Sequence, residues 1–500
     1  MTTPPLNARR PSAVTGLLFG LFMLIPLSLA GFGAWVGSSL ALYLDGPMWL
    51  ALVGSFAIFF LIPLGWELWA DRDQRGGRIR DAILRSSVLS VVFIVILVGT
   101  HPEATFKALA LRGDWWLAGS QTPAAQSLRK LSFTLADGLE WLNDAVRDKP
   151  YRESDESKGV DPGAVTAWPS ATVGTTTKTV APAPKAQKPL PIPGIAIPES
   201  DLRWPLEATV HPIIARIPDE ARKSPQTVGK WLKEQITDPF ELTKAVHDFV
   251  ALHVSYDFEK LGNRSLNDGN QSAGTVFKTG LGVCAGYSRL TVAVGKAAGL
   301  NVIYVGGDSR NSNDYREISA TKLEFPEDAG HAWNAVQIGD SWYLLDVTWD
   351  SGYGSIETGF TRRYQTHYLF TPPEAMLMNH RPDAERWQLV ETPLSRAEWL
   401  RQPLFDMEML IHGVSVGGDI RPVMERADPL IVEVANPLGF FVSAHMKPIT
   451  GETQPCDTPN NATQNKFTCR PLPGRFEVMI LARPEKYGTG KWLGSYWIND

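Results

Sequence analysis

Cysteine is scarce in this chain, with three residues in 500. That is too few for a disulfide scaffold, and their spacing is not that of a zinc site. Neither an HExxH nor a CxxC pattern occurs. His247 and His253 stand six apart in a helical stretch and do not share a face, as two metal ligands would need. An excess of charge of one sign is also missing: the formal net charge is -5. No basic block interleaved with aromatics appears, which argues against a nucleic-acid partner. No internal repeat is visible. At this length, two or three folded units plus linkers are expected.

Long apolar runs, by contrast, crowd the first hundred residues, at about 17–44, 48–69 and 82–100. Each is long enough to cross a hydrocarbon core of roughly 30 Å as a helix, so residues 1–100 read as an anchor of three transmembrane helices. Ser28-Leu29-Ala30 resembles a signal-peptide processing site, but the apolar run continues past it and two more follow, which favours an uncleaved anchor. Arg9 and Arg10 precede the first run, and Arg72, Arg75, Arg78 and Arg80 separate the second from the third. The Tyr43–Pro47 loop carries no Lys or Arg. The basic loops belong on the cytoplasmic side, so everything after Thr100 is expected outside, in a periplasmic or extracellular location.

Residues 101–150 read as amphipathic juxtamembrane helices. A Pro/Thr/Ala-rich linker follows over 151–200, marked by Ala181-Pro182-Ala183-Pro184 and Pro189-Leu190-Pro191-Ile192-Pro193. Residues 201–400 mix helix and strand signals, so the class is α+β. Over 405–500, alternating runs such as Leu430–Val434 and Phe476–Ile480 recur between turns, the pattern of a small β-sandwich domain. Cys456 and Cys469 flank a polar loop there and suit a disulfide in an oxidising compartment.

Cys284 stands alone in Gly280-Leu281-Gly282-Val283-Cys284-Ala285-Gly286, ahead of an apolar run, Leu290–Ala298, and a stop at Gly299. That is a loop, a helix and a glycine terminator. A cysteine at a helix N-terminus meets unpaired N–H groups and the positive end of the macrodipole, which favour a thiolate. The same groups suit an oxyanion hole. A lone cysteine is more often a small buried hydrophobe. The segment also matches a loose dinucleotide fingerprint, but Gly274–Thr279 is a poor strand to precede one.

His331-Ala332-Trp333-Asn334-Ala335-Val336-Gln337-Ile338 and Ser341–Asp346 flank Gly339-Asp340, which reads as a two-residue hairpin turn. In that register His331 opposes Thr348 and Trp333 opposes Asp346. His331 and Asp346 are then diagonal neighbours on one face, about 7–8 Å apart at the backbone and within side-chain reach. A carboxylate so placed orients an imidazole and stabilises its charged form. His380 and His412 read as structural or surface residues.

Gly282-Val283-Cys284-Ala285-Gly286-Tyr287, Gly330-His331-Ala332-Trp333-Asn334 and Leu345-Asp346-Val347-Thr348-Trp349-Asp350 resemble the three ordered motifs of the transglutaminase-like superfamily. Val246-His247-Asp248-Phe249-Val250 and Tyr256-Asp257 are similar to its helix before the nucleophile. Tyr368-Leu369-Phe370-Thr371-Pro372-Pro373-Glu374 with His380-Arg381-Pro382-Asp383 resembles its kyphoscoliosis-peptidase-like branch. The resemblance implies a papain-like core, a helix packed on an antiparallel sheet, with Cys284, His331 and Asp346 as catalytic residues. It implies a thioester acyl-enzyme without metal or organic cofactor. The expected substrate is a protein or peptide of the cell envelope, and the C-terminal β domain is the surface open to a protein partner. The competing expectation is a non-catalytic scaffold module of the same fold.

Overall fold

A computed structural model describes residues 13–44, 46, 48–70, 78–117, 122–141, 145, 160, 162, 204–310, 330–417, 423–436, 439–457, 464–483 and 490–499. The linker expected over 151–200, the Arg9-Arg10 segment and the Arg72–Arg75 part of the basic loop lie outside these residues, apart from isolated positions. The chain forms two compact units. One holds the described residues up to 145 together with Arg396–Leu400, and the other holds the remainder.

In the first unit, α1 (Ala13–Tyr43) and α4 (Arg78–Thr100) flank a middle helical segment. That segment consists of α2 (Met48–Phe56), a π-helical turn (Ala57–Leu61) and α3 (Ile62–Ala70). Gly33 and Gly37 form a small-xxx-small pair on α1, a spacing that lets helices approach closely. A Cβ at Gly33 would collide with Ser90 and touch Phe59, and one at Gly37 would touch Phe59, Ser55 and Phe93. Contacts therefore advance with α1 along α4 and recede along the middle segment, an up–down–up arrangement. Two of the three expected spans have a helix of the needed length. Two helices, Leu24–Tyr43 and Arg80–Thr100, are long and apolar enough to cross a membrane, whereas the middle apolar helix, Ala51–Trp66, is shorter.

The amphipathic pair over 101–150 is α5 (Pro102–Arg112) and α6 (Pro123–Asp137). Leu109 and Ala136 pack with Val36 of α1, and Trp35 donates its indole N–H to the Gly113 carbonyl at 2.6 Å. The short helix Arg396–Leu400 joins this unit rather than the catalytic-type core that precedes it in sequence. Its Trp399 and Leu400 are buried, and the Arg396 N–H donates to Glu140 at 2.6 Å.

The second unit begins with α7 (Pro225–Gln235) and α8 (Pro239–His253). Each has proline in its first turn and a side-chain cap, Ser224 in a capping box with Thr227 and Asp238 on the Glu241 N–H. Such caps satisfy N–H groups that the helix itself leaves open. Next comes α9 (Cys284–Ala297), whose Tyr287, Leu290 and Val294 fall on one buried face. A Cβ at Gly229 of α7 would collide with the Val294 carbonyl, so the α7–α9 crossing needs glycine.

Five antiparallel strands follow: β1 (Asn301–Ser309), β2 (Gly330–Ile338), β3 (Ser341–Leu345), β4 (Leu369–Thr371) and β5 (His380–Pro382), in the spatial order β4-β3-β2-β1-β5. Val302 and Val336 face the helices, where Leu232, Val246, Val250, Leu290 and Val294 complete a core. Ile303, Val305, Trp333 and Leu344 form a second core with Met376 and Trp387. Both faces of the sheet are covered, which is why its strands read as nearly continuous apolar runs. The expected helix-on-antiparallel-sheet core is present.

The C-terminal part carries two sheets among the described residues. One is three-stranded, Ser415–Val416, Leu430–Ala435 and Gln464–Cys469. The other is six-stranded and centred on Phe441–Pro448, Phe476–Arg483 and Lys491–Asn499. Val432, Val434 and Phe467 of the first share one buried cluster with Val442, Phe476, Val478, Ile480 and Ile498 of the second. Cys456 and Cys469, 13 residues apart, form the expected disulfide. A cross-link of that loop length restricts the unfolded chain by about 3 kcal/mol. The Cys456→Ser/Cys469→Ser protein should therefore lose about that much stability in denaturant unfolding followed in the β domain, and added reductant should not lower it further.

Candidate active site

The first residue of α9 is Cys284, buried at 1% exposure. Unlike α7 and α8, α9 has no side-chain cap: its N-cap is Val283, in extended conformation. The N–H groups of its first turn are left open at the sulfur's end of the helix, where an anion is favoured. The N-cap's own amide is turned elsewhere, since Val283 N–H donates to the Gln271 side-chain carbonyl at 2.9 Å. The segment Ala273–Thr279 before it is a helix ending at Gly280 with φ 66°, so no strand precedes the glycine-rich turn and the dinucleotide fingerprint has no structural counterpart. Val283, Cys284, Ala285, Tyr304 and Ala332 form one small buried cluster.

The hairpin turns at Gly339-Asp340, with Ile338 opposite Ser341 and Asn334 opposite Leu345. Gly339 takes φ 61°, which a two-residue turn of this kind requires. Strand β3 stops at Leu345, and Asp346 caps a short helix, α10 (Val347–Ser351), accepting from the Thr348 N–H at 2.8 Å and the Trp349 N–H at 3.4 Å through Oδ1. Thr348 thus leaves the strand register, but the diagonal placement holds. His331 Nε2 lies 2.7 Å from Asp346 Oδ2.

With Nε2 occupied by the carboxylate, Nδ1 is the ring nitrogen left for the Cys284 thiol. Burial disfavours charge on His331, but the Asp346 carboxylate and the hydrogen-bonded Cys284 outweigh it, and its pKa is pushed up to about 10. Burial likewise opposes ionisation of Asp346, yet His331 and His380 hold that carboxyl well below the usual carboxylate range. Tyr304 is pushed up by burial and then by Cys284, and stays a neutral hydroxyl. The structure therefore brings Cys284, His331 and Asp346 together at one place. The arrangement can support an imidazolium beside a sulfur, with a fixed acceptor behind it.

Sequence reasoning missed two groups. His380, taken as structural or surface, is fully buried and places Nε2 3.0 Å from the same Asp346 Oδ2. Its ring packs against Trp349 at 4.5 Å and His331 at 5.2 Å. The ligating-type atoms of His331, Asp346 and His380 lie within 4.8 Å of one another, but both imidazoles are engaged with one carboxylate oxygen. His380 sits on a separate strand, so no local spacing signals it. The second is His247 on α8, buried between Asp248 Oδ1 at 2.9 Å and Asp350 Oδ2 at 3.1 Å. Asp350 also accepts from the Tyr368 N–H, which ties α8 to α10 just after Asp346.

The family model described as "Transglutaminase-like superfamily" matches residues 227–347. Kyphoscoliosis peptidase of Mus musculus is 29% identical over 184 residues, covering 35% of this chain and 27% of that protein. Kyphoscoliosis peptidase of Homo sapiens is 30% identical over 171 residues, covering 34% and 25% respectively. The chain thus spans about a quarter of the length of these curated relatives. A solved structure titled "Crystal structure of a TGase" overlaps 29% of this chain and 34% of its own at 18% identity, with a TM-score of 0.19, too slight a superposition to carry weight. Residues 227–347 accordingly match the transglutaminase-like superfamily, and this part of the chain is similar to the kyphoscoliosis peptidases.

Proposed function

We propose that the chain is a membrane-anchored, extracytoplasmic cysteine acyl-transfer enzyme acting on proteins or peptides. Cys284 is the nucleophile, His331 the proton carrier and Asp346 the carboxylate that orients it. The observation that carries this reading is the Asp346–His331 contact of 2.7 Å beside a cysteine at an uncapped helix start, with Cys284 and Asp346 both acting on that imidazole. The thiolate attacks a carbonyl carbon, and His331 delivers its proton to the leaving nitrogen, giving a thioester. Open amides in the first turn of α9 are suited to the oxyanion. Water or an amine then takes the acyl group, with His331 accepting the incoming proton.

The anchoring part of the proposal counts the middle helix as a third crossing. An odd number of crossings puts the catalytic domain on the side opposite the basic N-terminus. The Cys456–Cys469 disulfide fits an oxidising compartment there. The C-terminal domain, with two sheets around one core, is read as a β-sandwich open to a protein partner.

Two measurements test the chemistry. Iodoacetamide should label Cys284 at pH 6, where an ordinary thiol with a pKa of about 8.5 hardly reacts. Cys284 is the one free cysteine, the other two being bonded to each other, so the adduct count is unambiguous. Inertness up to pH 8 would count against an activated thiolate. Incubation with an envelope peptide library then separates the outcomes by mass: gain of water, loss of ammonia, or a crosslink. A library that returns unchanged, despite a labelled thiol, would favour a scaffold.

A further inference from the structure

Asp346 Oδ2 receives two histidines, and only one of them faces the thiol. His380 comes from β5, which pairs with β1 through Ser309. Its Nε2 lies 3.0 Å from that oxygen, so this nitrogen must carry a hydrogen, since two acceptors would repel. Its Nδ1 lies 2.7 Å from Asn379 Oδ1, and Asn379 Nδ2 lies 2.7 Å from the Tyr368 hydroxyl. An amide oxygen facing Nδ1 would demand a second ring proton and a second buried cation, beside His331. Exchanging the two ends of the amide removes that conflict. The Tyr368 O–H then donates to the Asn379 oxygen, the Asn379 N–H donates to Nδ1, and His380 Nε2–H donates to Asp346.

We propose that His380 is a positioning residue for the acyl-transfer site, a neutral donor that holds the Asp346 carboxylate on His331, with Asn379 fixing which ring nitrogen carries the proton. The inference rests on the acyl-transfer reading above and deepens it. The titratable groups facing the His380 ring are Asp346 at the end of β3, His331 on β2 and Tyr368 ahead of β4. Burial first, and then the neighbouring His331, push His380 down to about 4 although Asp346 pulls the other way. His331 is therefore the sole cation on the carboxylate at neutral pH. Oδ1 is fixed by backbone N–H groups. His380 fixes the oxygen that meets His331, and it keeps that oxygen satisfied while the catalytic imidazole gives up its proton.

The test uses the full-length chain in detergent and iodoacetamide as probe, following the Cys284 adduct from pH 5 to 9. His380→Phe fills the same space without a donor. Its labelling rate at pH 6 should fall about 10-fold. His380→Gln keeps an amide N–H and should stay within about 3-fold of the parent chain. Thermal melting checks that each variant is folded. If His380→Phe does not fold, Asn379→Leu, which removes the Nδ1 donor together with the Tyr368 hydroxyl's partner, should lower the rate by about 3-fold or more, and Tyr368→Phe, which removes the hydroxyl alone, should not. A folded His380→Phe chain that labels like the parent overturns the inference, as does a His380→Gln chain that falls equally far, since that would mean packing alone. Failure of the parent chain to label below pH 7 removes the acyl-transfer reading itself, and so is a distinguishable result.

Discussion

The Cys284→Ala chain is expected to lose acyl transfer by about 10³-fold or more while keeping its fold. Removing a nucleophile from a set of groups that act together costs most of their joint effect, because the remaining imidazole and carboxylate have nothing to activate. Cys284 is buried in a small cluster with Val283, Ala285, Tyr304 and Ala332, and the substitution removes one sulfur atom from it. The stability change should be about 1 kcal/mol, a few degrees in the melting of a domain this size. His331 also loses one of the groups that raise its pKa, so it should titrate lower in the variant. Product formation by mass spectrometry and a melting curve on the same sample decide the matter. Retained turnover in a well-folded variant would sink the mechanism.

His247→Leu should have the largest effect on stability, about 3–5 kcal/mol, the usual result of removing one partner from a buried ionic group. In a domain of about 200 residues that is roughly a 10 °C fall in melting temperature. Burial opposes charge on His247, but Asp248 and Asp350 outweigh it and push its pKa up to about 9. Burial also opposes ionisation of Asp248, which His247 and Lys244 nevertheless hold down at about 2. Asp350 goes the other way, because burial outweighs its contacts and raises it. The paired charge therefore lies chiefly between His247 and Asp248, the latter also bonded to Lys244 at 2.6 Å and to the Tyr364 hydroxyl.

The sign of the pH dependence follows. A histidine whose folded pKa is raised contributes its full stability below its unfolded value of 6.5, and loses it as pH rises toward 9. A carboxyl whose folded pKa is depressed contributes above 3.8 and loses that as pH falls toward 2. The gap in stability between the parent chain and His247→Leu should thus be widest at about pH 4–6.5 and shrink on either side. A flat gap from pH 5 to 9 would mean that packing, not charge, accounts for the loss. A second substitution, Asp248→Leu, should add to the loss in His247→Leu, since that carboxylate still accepts from Lys244, the Tyr364 hydroxyl and the His211 N–H.

The parts of the site that could be read from the chain are those fixed by short-range rules. A glycine-rich turn before an apolar run places Cys284 at a helix start because helices begin and end on local signals. A two-residue turn at Gly339-Asp340 sets the register of β2 and β3, which puts Asp346, one residue past the end of β3, within reach of His331. The alternating runs after residue 405 likewise became strands. The number of spans was harder to read, because an apolar run has length in sequence but not a fixed helical geometry. The middle one is broken by a π turn at Ala57–Leu61.

The sequence by itself determined the helix that starts at Cys284, the hairpin that pairs the His331 imidazole with the Asp346 carboxylate, and the likeness to the transglutaminase-like superfamily over residues 227–347. Only the tertiary structure decided what surrounds them. His380 reaches Asp346 from another strand, Gln271 takes the Val283 N–H from a preceding loop, and His247 bridges α8 to α10 through Asp350. Each of these contacts joins residues whose separation along the chain obeys no period. They exist because burial leaves a polar group no alternative to finding a partner, and which partner it finds depends on how the elements pack.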